Sequence, residues 1–276
     1  MAGEESEIFT RTIAPILGFL LANVMFFASV PELQKYRKMN EWGSLNIHPY
    51  PIVVCNCIGW MMYGSVIKDS WVFASNVPGL LVSVYALMIA LTLNARNEKK
   101  RKELEKMVLV SCAFLSVMGF VLGVVMHGDE KEGKKRFASG IFCNVVLAIY
   151  YASPLSEMRQ IIMERDASSL YWPMSVAITV NGFSWAAYGF ALKDWFLVSP
   201  NMFGGVLGGV QLAFLATFGK KNTKKKMKNS ISSVKIELEE RGGGGLGGGE
   251  EEEEEEINIV ANLSSEDLIV SGQPRS

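Results

Sequence analysis

The chain has 276 residues, a formal net charge of −1 and a mean hydropathy of +0.21. Its charges fall in clusters between apolar runs of about 20 residues, the length at which a helix spans a bilayer. That pattern excludes a soluble globule, whose helices carry charges every few residues, and reads as an all-α polytopic membrane protein.

Residues 1–12 form an N-terminal tail. Glu4, Glu5 and Glu7 stand where a cleavable signal peptide has its basic start, so the first span, Ile13 to Gln34, is expected to be retained. The second span runs from Ile47 to Ile67 and the third from Trp71 to Leu93. Only Lys68, Asp69 and Ser70 separate them, which makes them antiparallel neighbours. Residues 94–126 read as a charged loop followed by a fourth span, Met107 to Met126. The fifth, sixth and seventh spans are Phe137 to Met158, Trp172 to Leu192 and Trp195 to Phe218. Lys193 and Asp194 alone join the last two.

Residues 219–276 form a tail of different material, expected to be cytoplasmic and disordered. A basic run, Lys220 to Lys228, follows the last span and suits an anionic lipid surface. The glycines of 241–249 and the acid run Glu250 to Glu256 have no apolar surface to bury, and disorder is expected there.

If the C-terminus is cytoplasmic, the cytoplasmic segments hold 17 Lys and Arg residues against 7 on the other side. The N-terminus is therefore expected outside and the C-terminus inside. The group from Lys131 to Arg136 runs against that asymmetry. The plasma membrane is the expected location, with an intracellular membrane as the alternative. Cys55, Cys57, Cys112 and Cys143 all fall within spans and suit small apolar packing. His48 and His127 are isolated near span ends. No metal or cofactor is expected, and no nucleic-acid partner. The chain shows no nucleophile-base arrangement, phosphate loop or metal cluster, so it is not read as an enzyme.

The chain repeats itself. YGSVIKDSWVFASNVPG (63–79) and YGFALKDWFLVSPNMFG (188–204) share Tyr, Gly, Lys, Asp, Asn and Gly at six of 17 positions, where unrelated segments share about one. At the same spacing of 125, Asn56 pairs with Asn181 and Trp60 with Trp185. One residue of slippage aligns FAS (27–29) with YAS (151–153). Residues 13–93 and 137–218 are thus two three-helix repeats, and the fourth span has no copy. Three crossings are odd, so the fourth restores the orientation and the halves become parallel repeats about an axis along the membrane normal. A substrate site is expected between them.

This 3+1+3 plan, with FASVP and YASPL ending the first helix of each half, W-x-x-Y-G ending the second and Asn near the start of the third, resembles the SWEET (MtN3/saliva) sugar transporters over roughly residues 13–218. The resemblance implies bidirectional, facilitative movement of a mono- or disaccharide by alternating access, within a homo-oligomer in the lipid bilayer. In the first half the proline comes late, as Ser29-Val30-Pro31 against Ser153-Pro154.

Asn76 and Asn201 sit at equivalent places in the two halves, and the resemblance puts the family's sugar-binding asparagines there. An amide inside a span needs partners, and its donors and acceptor match sugar hydroxyls; helix–helix glue is the other use. Asn56 with Trp60, and Asn181 with Trp185, are i, i+4 pairs that present an amide and an indole on one helix face. Trp42, Trp71, Trp172 and Trp195 lie at span ends and suit an interfacial belt. By resemblance Phe26 and Tyr150 line the pocket and limit substrate size, which favours a monosaccharide; helix packing is the alternative. Pro31, Pro49, Pro154 and Pro173 are the implied hinges, with static kinks as the alternative. No Asp, Glu, Lys, Arg or His falls near the middle of a span, which favours a uniporter over a proton-coupled carrier. The rivals are a PQ-loop carrier of amino acids or another small solute, and a scaffold that transports nothing. The Pro-Gln dipeptides of the former are replaced here by Pro31-Glu32 and Pro154-Leu155.

Overall fold

Apolar runs bounded by Asn, Asp and Pro set the helix limits. The computed structural model describes residues 7–40, 49–95, 97–128 and 131–241, with side chains described to residue 219. It contains seven helices and no strand among the described residues. They are α1 (Phe9–Met39), α2 (Pro49–Val66), α3 (Ser70–Leu93), α4 (Glu98–Val125), α5 (Glu132–Glu164), α6 (Trp172–Ala191) and α7 (Trp195–Arg241). The architecture is the expected 3+1+3, with α4 between the halves. Contacts divide the described residues into those of 7–163 with 170–213, and those of 164–169 with 214–241; the candidate sites described below lie in the first of these units.

Five helices, α1, α3, α4, α5 and the Trp195–Gly219 part of α7, are long and apolar enough by themselves to cross a membrane. α2 and α6 are not in that group, because Asn, Ser, Trp, Tyr and Pro lower their hydropathy. These are the helices that carry the Asn–Trp pairs.

Several limits differ from expectation. α1 starts at Phe9 and breaks into a turn at Ala28 and Ser29 before Val30–Met39. The fifth span is longer than Phe137 to Met158 at both ends, and Pro154 sits inside the continuous helix. Residues 98–106, expected as loop, are the first turns of α4. Asn97 caps it by accepting from the Lys100 amide at 3.1 Å, and Glu98–Lys102 and Arg101–Glu105 pair at i, i+4. α7 runs on to Arg241, so part of the expected disordered tail is helical. Trp42, His48 and the glycine and glutamate runs lie outside the described residues, as do the side chains of the Lys220 to Lys228 group.

The two short links are built alike. Lys68 and Lys193 take left-handed φ of 55° and 53°. Each following aspartate caps the next helix: Asp69 Oδ1 accepts from the Val72 amide at 3.0 Å, and Asp194 Oδ1 from Phe196 at 3.1 Å and Leu197 at 3.3 Å. These reversals lay α2 against α3 and α6 against α7. Gly64 and Gly189 make the close approach possible, since a Cβ would meet the backbone of Phe73 in one case and of Val198 in the other.

The halves interlock. α1 packs on α3 of its own half and on α6 of the other. α2 meets α5 where Gly59 faces Phe142. One buried cluster therefore draws Trp60, Tyr63, Phe142, Val146, Trp185, Tyr188 and Leu197 from both halves.

Candidate functional site

Between the halves lies a cavity of about 170 Å³. Its wall includes Phe26, Asn56, Trp60, Asn76, Tyr151, Asn181, Trp185 and Asn201, joined by Ser75 and apolar side chains. Among the described residues, no Asp, Glu, Lys, Arg or His lines it. Seven of the eight residues expected to contact substrate share this one wall.

The four amides differ in how they are used. Asn76 Nδ2 donates to the Val72 carbonyl at 2.8 Å, and Asn201 Nδ2 to the Leu197 carbonyl at 2.8 Å. Both are one-turn back-bonds that hold the amide in a single orientation on its own helix. Asn56 Oδ1 and Asn181 Oδ1 are buried and accept no hydrogen bond. A buried carbonyl without a donor costs about 1–3 kcal/mol, and here the cost appears twice, at equivalent positions beside the same cavity.

The indoles form the flanking walls. Trp60 and Trp185 are 5% and 6% exposed, whereas Trp71, Trp172 and Trp195 at helix starts are 37%, 64% and 68% exposed. Burial separates cavity tryptophans from the interfacial type. Gly18 on α1 leaves the room that Trp185 occupies; a Cβ there would lie 2.7 Å from the indole Nε1.

Tyr150 does not line the cavity; Tyr151 does. On a helix one residue turns a side chain by about 100°, so the single slip matters. The spacing of 125 that relates the other pairs also relates Phe26 to Tyr151. Their packing agrees: a Cβ on Gly79 would strike the Phe26 ring, and one on Gly204 would lie 2.5 Å from the Tyr151 hydroxyl. Four residues separate Phe26 from Pro31, and two separate Tyr151 from Pro154. The turn at Ala28 and Ser29 takes up the surplus, which the local FAS–YAS match concealed.

Of the implied hinges, Pro31 and Pro173 lie in the first turns of Val30–Met39 and α6, Pro49 begins α2, and Pro154 is interior to α5. Pro200, inside α7, was not singled out in the sequence. It lacks the N–H that would satisfy the Phe196 carbonyl. Asn144 Nδ2 of α5 donates to that carbonyl at 3.1 Å, and the Tyr151 hydroxyl donates to the Pro200 carbonyl at 3.1 Å. Asn201, next in the chain, is thus set by a braced proline.

Sequence reasoning also missed two bonds between the halves beside the Lys-Asp links. Tyr63 donates to Asp194 Oδ2 at 2.6 Å, and Tyr188 donates to Asp69 Oδ2 at 2.6 Å. Each bond crosses from one half to the other. Each tyrosine also packs edge-to-face with the cavity tryptophan one turn before it, at 5.6 Å for Trp60–Tyr63 and 6.0 Å for Trp185–Tyr188. Asp194 is 1% exposed and pairs with Arg136 at 3.0 Å. Arg11, at the equivalent position, turns instead to Glu7 and to the Ala191 carbonyl. The signal was present, since Tyr and Asp recur in both copies, but nothing local to either copy shows that the partner lies in the other.

Comparison with known proteins places this arrangement. The model of the MtN3/saliva family, described as a sugar efflux transporter for intercellular exchange, matches residues 14–98 and again residues 137–223. The chain belongs to the MtN3/saliva family. The two matched segments of this MtN3 chain leave nearly all of α4 between them. It is 28% identical over 213 residues to the bidirectional sugar transporter SWEET7 of Arabidopsis thaliana, covering 76% of this chain and 81% of that protein. It is 29% identical over 213 residues to SWEET5 of the same plant, covering 76% and 87%. Against SWEET7b of Oryza sativa subsp. indica it is 24% identical over 220 residues, covering 79% and 82%. A solved structure of a eukaryotic SWEET transporter, at 3.7 Å resolution, superposes with a TM-score of 0.68 at 20% identity, covering 78% of this chain and 99% of that one. That likeness confirms the seven-helix fold of this family member.

Proposed function

We propose that the protein is a facilitative, bidirectional sugar uniporter that works by alternating access. The observation that carries this reading is the wall of the central cavity, in which four asparagines, Asn56, Asn76, Asn181 and Asn201, stand beside two buried indoles. Four amides in one wall call for a solute rich in hydroxyls. The lack of charge in the wall calls for a neutral one. Flat aromatic faces suit the apolar face of a pyranose. Membership in a sugar efflux family, and relatives named as bidirectional sugar transporters, support the same solute class.

Asn76 and Asn201 bond the substrate through their amide oxygens, and Asn56, Asn181, Trp60 and Trp185 complete the site. Phe26 and Tyr151 narrow it, which favours a monosaccharide. The paired Tyr–Asp bonds close the end at the Lys-Asp links, which the distribution of basic residues puts outside. Pro31, Pro49, Pro154 and Pro173, away from those links, are the hinges. With no titratable relay in the wall, the solute gradient alone drives net movement. The protein acts at the plasma membrane as a homo-oligomer.

The test is radiolabelled glucose and sucrose flux into proteoliposomes, with and without a pH gradient. Saturable glucose flux that ignores the pH gradient, exceeds sucrose flux and is lost in Asn76→Ala with Asn201→Ala is the expected result. Flux of neither sugar by folded protein overturns the reading.

A further inference from the structure

A second cavity, of about 790 Å³, lies away from the central site, among α2, α4 and α5. Its floor includes Cys55 and Val146, 4% and 3% exposed; Val110, Val117 and Ile149 rise beside it and are more than half exposed. α4 and α5 are both helices of membrane-spanning length and apolarity. A groove on them opens to hydrocarbon rather than water.

One end of the groove is charged. Lys106 and Glu103 of α4 line it there. Arg101 and Lys102 form ion pairs within α4, whereas no ion pair to Lys106 is found among the described residues. Lys99 lies two turns before Lys106 on the same helix face. From Lys106 to Val117 the groove follows α4 for about 16 Å at a rise of ~1.5 Å per residue. One leaflet of a bilayer core ~30 Å thick has about that depth. A cation at headgroup level above an apolar slot one leaflet deep describes a phospholipid.

We propose that this groove is a lipid site. It holds one acyl chain of an anionic phospholipid, whose phosphate sits at Lys106. Cys55 and Val146 adjoin Asn56 and Leu147, which face the central cavity. The same two helices therefore carry lipid on one face and the transport cavity on the other, and a seated chain braces α2 against α5 from the membrane side.

The test uses the full chain in phosphatidylcholine vesicles doped with phosphatidylglycerol or phosphatidylcholine bearing a diazirine on one acyl chain. After photolysis, labelled peptides are mapped by mass spectrometry. Phosphatidylglycerol label is expected to concentrate on Met107 to Val117 of α4 and on Val146 to Ile149 of α5. Lys106→Gln is expected to lower that yield by about fivefold, the weight of one basic side chain at an anionic surface, without changing phosphatidylcholine labelling. Ala113→Trp, which fills the groove, is expected to remove label of both kinds while leaving the melting temperature in detergent unchanged. Label spread evenly over outward residues such as Leu81 and Met88 of α3 overturns the proposal. So does Lys106→Gln without effect, or protein–protein cross-linking through α4 in place of lipid label.

Discussion

Tyr63 and Asp194 lie 131 residues apart in the chain and 2.6 Å apart at the hydroxyl–carboxylate contact, each in a different half of the molecule. Tyr188 and Asp69 form the same contact in reverse. Each aspartate uses one oxygen to cap its own next helix and the other to hold the opposite half. A residue that looks like local punctuation is therefore also a clasp. A hydrogen bond to a charged group contributes about 1.5–3 kcal/mol, so Tyr63→Phe is expected to shift the balance toward opening at the Lys-Asp end by about tenfold or more. Labelling of Ser75→Cys by a membrane-impermeant maleimide checks this, with the parent chain and its native cysteines as control. An unchanged labelling rate would mean that the clasp does not govern access.

The unmet carbonyls of Asn56 and Asn181 make a prediction in two directions. Asn181→Leu removes a buried acceptor that costs about 1–3 kcal/mol when unpaired. The melting temperature in detergent is expected to hold or rise while glucose flux falls at least tenfold. A side chain that merely glued helices would lose both together.

Gly79 and Gly204 are the last matched positions of the repeated segment, and each leaves room for one ring of the cavity wall. Gly79→Ala is expected to destabilise by about 1–3 kcal/mol, the usual cost of overpacking. Adding Phe26→Ala to Gly79→Ala is expected to recover part of that loss. Thermal unfolding of the two single variants and the pair supplies the comparison; strict additivity would contradict the contact.

Asn144 matters because Pro200 leaves the Phe196 carbonyl without its helical donor. Asn144→Leu is expected to cost about 1–3 kcal/mol, the penalty of an orphaned buried acceptor, and to weaken flux by loosening Asn201. In a Pro200→Ala background the helix supplies its own N–H, and Asn144→Leu is then expected to cost much less. A double-mutant cycle on melting temperature and flux reads this coupling. Equal loss in both backgrounds would assign Asn144 another role.

Much of the plan was legible in the sequence. Apolar runs of membrane length set the helices, because in hydrocarbon every backbone polar group must be satisfied within its own segment. The spacing of 125 paired Asn56 with Asn181, Trp60 with Trp185 and Asn76 with Asn201, because duplicated halves keep equivalent residues in equivalent places. Helix ends were less legible. The first turns of α4 depend on Asn97 and on i, i+4 ion pairs that look like loop charge in a hydropathy reading.

Tertiary structure alone decided the register at the cavity and the bonds that join the halves beside it. Tyr151 rather than Tyr150 lines the wall, and on a helix that one-residue difference is a different face; the two extra residues before Pro31, at the turn of Ala28 and Ser29, hid the register. The clasp between Tyr63 and Asp194 joins residues whose local surroundings are a helix end and a helix cap. Periodicity records which way a side chain faces on its own helix. Which residue of another half meets it there is settled only when the two halves pack.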